Sequence, residues 1–202
     1  ARRPDLGIEI RSMVSPDLLA RTLAVPYSLV PTLTDPGIAQ KDSVTHDDEA
    51  TIARATSFYG GYAGRVASEA GTLPAAARVV VGDIPPLAFD VAARRGVPSV
   101  AIANFTWDWI YETHRGFDGQ AWIVPLMRRA YERATVALEL PFSGGFEIFP
   151  VRRPIPLIAR RGTRSRADTF RFLGVQGDRP TVLLSFGGYG LPAMNLARLD
   201  CL

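Results

Sequence analysis

Two apolar, β-branched runs flank a short helical segment between Arg78 and Glu112, RVVVGDIPPLAFDVAARRGVPSVAIANFTWDWIYE. The first run, Arg78 to Gly82, ends at Asp83-Ile84-Pro85-Pro86. Leu87 to Arg95 has helical character and is stopped by Gly96-Val97-Pro98, after which Ser99 to Ala103 forms the second run. Neither run alternates apolar with polar residues, so both faces of each strand are expected to be covered, as in a parallel sheet. Strand, helix and strand in this order define an α/β fold, a parallel sheet with flanking helices. Polar residues collect where each strand ends: Asp83 after the first, and Asn104, Thr106 and Asp108 after the second. Open α/β sheets bind ligands at the carboxyl ends of their strands, so the same stretch marks a candidate site.

Other segments fit this plan. Ile8 to Met13 and Tyr27 to Leu33 read as strands, and Ser15-Pro16 opens a short helix over Leu18 to Leu23. Asp35 to Thr45 is a polar loop. Thr45 to Ala70 reads as one long helix, with acids in its first turn and Gly60-Gly61 weakening its middle. Phe117 to Gln120 reads as a loop, Trp122 to Ala134 as an amphipathic helix and Val136 to Leu140 as a strand. Ser143 to Pro156 reads as irregular, the arginine-rich stretch Ile158 to Arg166 as exposed, and Ala167 to Leu173 as a short helix ending at Gly174. Thr181 to Phe186, TVLLSF, reads as a buried strand, followed by Gly187-Gly188-Tyr189-Gly190. The expected division is a first domain over residues 1–150, a linker over 151–180 and the start of a second α/β domain over 181–202.

Composition narrows the function. Hydrophobic residues make up 47% of the chain and charged ones 21%, enough to build a core. The net charge of +3 is too small for general nucleic-acid affinity. Cys201 is the only cysteine, which excludes an internal disulfide and a cysteine zinc site. No apolar run reaches the ~20 residues of a membrane span, and the start, Ala1-Arg2-Arg3-Pro4-Asp5, has no signal-peptide core. A reducing cytoplasm is the expected location. Nothing in the pattern sets an oligomeric state.

Several residues carry competing readings. Asp83 binds a sugar hydroxyl, accepts a proton, or caps the following helix. In Asn104-Phe105-Thr106-Trp107-Asp108-Trp109, indole faces suit sugar C–H groups while Asn and Asp take hydroxyls. The opposing view makes both tryptophans packing residues and Asp108 the cap of a helix over Trp109 to Thr113. His114 is either a base near neutral pH or a solvated surface histidine. His46-Asp47-Asp48-Glu49 reads as a helix start rather than a metal site. Gly187 and Gly188 either let backbone amides approach a phosphate or simply form a tight turn.

Laid out in this way, VVGDIPPLAFDVAARRGVPSVAIANFTWDWIYE resembles the predicted bacterial glycosyltransferases of the GT-B fold, which are similar to the N-terminal domain of plant L-arabinokinases. The likeness is specific in Asp83-Ile84-Pro85-Pro86 and in Asn104 to Tyr111, and looser elsewhere; TVLLSFGG resembles the opening of the C-terminal domain. It implies two Rossmann-like domains facing a cleft, an acceptor-side one (here the N-terminal, a Rossmann-like parallel sheet with flanking helices) and one for a nucleotide sugar, often a UDP-sugar, with no metal and no cofactor. The implied reaction is hexosyl transfer to a small-molecule or glycan acceptor. The family begins with a strand and a Gly/His-rich loop that this chain lacks, so the chain is expected to be a fragment, inactive alone. The catalytic base would lie in that loop. Asp83, Asn104, Thr106, Trp107, Asp108 and Trp109 would bind substrate, with Asp83, Asp108 and His114 also candidates for catalysis, and Gly187 and Gly188 would meet the donor phosphates. Two alternatives stand beside this: a non-catalytic carbohydrate-binding or regulatory domain of the type fused to sugar kinases, and a UDP-sugar epimerase.

Overall fold

The β-branched runs become parallel strands in the computed structural model, which describes residues 6–159, 162–175, 181–185, 188 and 190. Glu9–Arg11 (β1) is followed by Pro16–Thr22 (α1), where Ser15 accepts the Asp17 N–H and Pro16 occupies the first turn. Ser28–Val30 (β2) pairs with β1 in parallel, Ile10 opposite Leu29. Asp48–Gly60 (α2) and Tyr62–Thr72 (α3) come next, then Val80–Gly82 (β3), Pro86–Arg95 (α4), Ser99–Phe105 (β4) and Trp107–Glu112 (α5). Ile123–Tyr131 (α6), Val136–Gly144 (β5), Arg152–Pro154 (β6) and Arg166–Leu173 (α7) follow.

The four strands β3-β4-β5-β6 form one sheet in that order, and every pairing is parallel. β1 and β2 form a separate pair, tied to α3 by Arg11, whose guanidinium reaches the Glu69 carboxylate at 2.5 Å and the Glu69 carbonyl at 2.9 Å. The centre of the large sheet is built from small residues, with Ala101, Ala103 and Ala137 all buried. This lets aromatic side chains pack closely on it. Phe58, Tyr59 and Tyr62 come from α2 and α3, Phe89 from α4, Tyr131 from α6, and Phe146 and Phe149 from the turn after β5. Among the described residues no helix is long and apolar enough to cross a membrane.

Four expectations need correction. The helix expected over Thr45 to Ala70 is two helices, broken at Gly60-Gly61, and its cap is Asp47, which accepts the Ala50 N–H at 3.0 Å. Two adjacent glycines cost about 2 kcal/mol of helix propensity, and breaking there brings Tyr62 into the core. Phe117 to Gln120, expected as loop, lies in a 3-10 turn over 115–120, with Phe117 buried against Tyr111. The stretch expected to be irregular, Ser143 to Pro156, contains the end of β5 and all of β6, whose Arg153 lies opposite Leu138. The long-range pairing that orders β6 has no local signature. Thr181 to Ser185, expected as a buried strand, is exposed, with Leu183 at 88%, and pairs with no strand among the described residues. Apolar β-branched composition does not hold a strand without a neighbour to pair with. Phe186 lies outside the described residues.

Candidate functional site

Two loops at the carboxyl ends of β2 and β3 are each anchored by one tyrosine. After β2 the chain runs through Asp35-Pro36-Gly37, where Gly37 takes φ +58°, and the Tyr111 hydroxyl donates to the Gly37 carbonyl at 2.8 Å. After β3 comes Asp83, and then Ile84 with φ +65°. A β-branched residue in the left-handed region is strained by roughly 1–2 kcal/mol. The strain is held by the Tyr131 hydroxyl, which donates to the Ile84 carbonyl at 2.9 Å and accepts the Trp107 backbone N–H at 3.2 Å. Tyr131 thus locks the strand end bearing Asp83 to the first turn of α5.

These anchors gather Asp35, Asp83 and Trp107. Burial pushes the Asp35 carboxyl up to about 6; the Gly37 N–H pulls it down, the Asp83 charge adds to the rise, and the Trp107 indole opposes it weakly. Partial burial raises Asp83 as well, although the residue as a whole is exposed. Trp107 Nε1 is buried and, among the described residues, reaches no partner at good hydrogen-bond geometry, so its effect on Asp35 is that of a nearby dipole. Tyr59 Oη is likewise buried without a partner, and its phenol is held well above its ordinary range by burial and by the charges of Tyr131, Tyr111 and Asp35.

A second polar centre lies on another face of α5. Asp108 is 3% exposed, and its Oδ2 accepts from Arg128 Nε at 3.0 Å. Arg128 Nη2 also donates to Glu112 at 2.7 Å, and the bond to Asp108 raises the guanidinium's pKa, so this cation is permanent. Asp108 Oδ1 has no partner among the described residues. A cleft of about 340 Å³ opens between Asp108, Trp109, Glu112 and Arg128 on one side and the 145–148 turn on the other. Trp109, 44% exposed, lies against Gly144 and Gly145. Gly145 has φ +81°, and a Cβ there would run into Thr106 Oγ1 and Trp109, so only glycine fits.

The six residues of the Asn104–Trp109 cluster therefore do not gather in one place. Neighbours on a helix diverge by about 100°, and Trp107 and Asp108 point to different sites. Trp107 joins Asp83; Asp108 and Trp109 form the cleft; Thr106 is fully buried and donates to the Gly145 carbonyl at 3.4 Å; Asn104 is exposed on the strand. Neither acid is a helix cap: Pro85 caps α4 without a side-chain bond, and Thr106 stands before α5. His114 joins neither centre. Its Nδ1 meets Asp48 at 3.2 Å and its ring lies 5.4 Å from His46, at the start of α2. Gly187 lies outside the described residues, and at Gly188 no described residue lies within 4 Å of an added Cβ. Among the described residues no group of three or more His, Cys, Asp or Glu side chains could hold a metal ion.

Asp35, Glu112, Arg128 and Tyr131 were not singled out from the sequence. Asp35 carried a usable signal, since it follows a strand and precedes Pro36-Gly37, the pattern that marked Asp83. Arg128 carried none, being one arginine among many on an amphipathic helix.

Parallel strands with flanking helices make this an α/β domain of Rossmann-like build. No family model matches the chain. It is similar to an L-arabinokinase of Arabidopsis thaliana, with 34% identity over 115 residues, which is 54% of this chain and 11% of that protein. The chain thus spans about a tenth of that relative's length. No solved structure matches it.

Proposed function

We propose that this chain binds a sugar at the carboxyl ends of its strands, as the acceptor side of a glycosyltransferase-like protein that uses a nucleotide sugar, with the segment beyond about residue 180 opening the donor side. The observation that carries the reading is the cleft beside α5. A buried carboxylate with one oxygen free, a fixed arginine and a half-exposed indole supply what a pyranose or furanose ring needs: charged hydrogen-bond partners at its edge and an apolar wall for its C–H face. The likeness to L-arabinokinase supports sugar as the ligand class. The same likeness favours a second reading, sugar binding without turnover in a protein that also carries a kinase.

Calorimetric titration of the chain with free monosaccharides, L-arabinose first, tests the sugar reading. Saturable binding that weakens at least tenfold in Trp109→Ala supports it, and no binding across the panel refutes it. Turnover of UDP-sugars by the full-length protein separates the two readings: transfer to an acceptor supports the transferase, and binding without turnover supports the regulatory domain.

A further inference from the structure

We infer that the cleft beside α5 prefers an amino sugar, one carrying a protonated amine, to a neutral sugar, and rejects anionic sugars. The inference rests on the sugar reading above and adds the charge of the sugar. Three carboxylates line the cleft, Asp108, Glu112 and Glu147, against one guanidinium, Arg128. Three negative charges against one positive leave an excess of two around a volume of about 340 Å³. Arg128 does not face the cleft as an open anion site. Its Nε is held by Asp108 at 3.0 Å and its Nη2 by Glu112 at 2.7 Å. Both hydrogen-bonding edges of the guanidinium thus already carry a carboxylate, and a ligand anion seated there in the bidentate manner would have to displace one of them. Displacing Asp108 would leave a buried charge without its cation.

The three acids act in different ways. Asp108 is covered, so it acts through its charge and by holding Arg128, not by touching the ligand. Glu112, whose side chain is 58% exposed, and Glu147 are open to solvent and can meet an ammonium directly. Glu147 stands in the 145–148 turn across the cleft from α5 and has no ion-pair partner among the described residues. Trp109 supplies a half-exposed indole to the same cleft, and indole is the ring that attracts cations most strongly. A ring amine therefore finds two accessible carboxylates and an aromatic wall. A uronate meets the same two carboxylates with no uncommitted cation among the lining residues.

Galactosamine, galactose and galacturonate share one ring configuration and differ in charge. Each is titrated calorimetrically into the chain at about pH 6, where an amine of this kind is protonated. In ~20 mM salt galactosamine is expected to bind about fivefold tighter than galactose, and galacturonate about fivefold weaker, with both gaps closing at ~500 mM salt. Glu112→Gln and Glu147→Gln keep the side-chain shape and remove the charge, and folding of each is checked by circular dichroism. Together they should abolish the galactosamine advantage while galactose affinity stays within about twofold, which separates loss of charge from loss of the cleft. Galacturonate binding as tightly as galactose, or a galactosamine advantage unchanged in the double variant, would overturn the inference and leave the sugar reading standing. If neither these three sugars nor L-arabinose binds, the sugar reading fails and the charge preference fails with it.

Discussion

Replacing Asp35 by Asn is expected to stabilise the protein at neutral pH. In the folded state the Asp35 carboxyl is raised from 3.8 to about 6, chiefly by burial. The folded protein therefore holds a proton more tightly than the unfolded chain does. Stability contributed by the protonated form is complete below about pH 4, is lost as pH rises through the window from 3.8 to 6, and is gone above it. At about 1.36 kcal/mol per pH unit, ionised Asp35 costs about 3 kcal/mol at pH 8 and about 1 kcal/mol at pH 4.5. Asparagine removes the charge and keeps an oxygen to accept the Gly37 N–H. Chemical denaturation at the two pH values should therefore give a gain of about 3 kcal/mol at pH 8 that shrinks to about 1 kcal/mol at pH 4.5. In thermal unfolding the larger gain corresponds to a rise of roughly 6–12 °C for a chain of this size. Asp83→Asn, which removes a repelling neighbour, should reduce the gain from Asp35→Asn. No gain at pH 8, or an equal gain at both pH values, would refute the reasoning.

Two further outcomes follow from the anchors. Arg128→Ala leaves the buried Asp108 carboxylate without its cation and should cost about 2 kcal/mol, part of which Asp108→Asn restores in the same background; urea denaturation of the single and double variants checks this. Tyr131→Phe strips a partner from both the Ile84 carbonyl and the Trp107 N–H, so a loss of about 1–3 kcal/mol is expected, with faster hydrogen exchange at the Trp107 amide.

Local chemistry made much of the fold legible. The β-branched runs at 80–82 and 99–105, the proline-started helix between them and the Ser15 cap all lie close to where pattern placed them, because each is decided by residues within a few positions. Elements held by distant partners were not legible. β6 is ordered by β5, whereas Thr181 to Ser185, as strand-like as any segment, is exposed and pairs with no described strand. The two helices of 48–72 show the same limit: the glycines were visible, but the aromatic core that makes a break worthwhile was not.

The candidate site divides in the same way. By itself the sequence determined that acids and aromatics stand at the ends of parallel strands, since strand period and strand ends are local properties. Only the tertiary structure decided which of them come together. Helix geometry turns Trp107 away from Asp108, long-range folding carries Asp35 to Trp107 and Arg128 to Asp108, and two tyrosines fix the strained loops between them. Sequence neighbours on a helix diverge, and residues tens of positions apart converge, because burial of a common core decides which side chains meet.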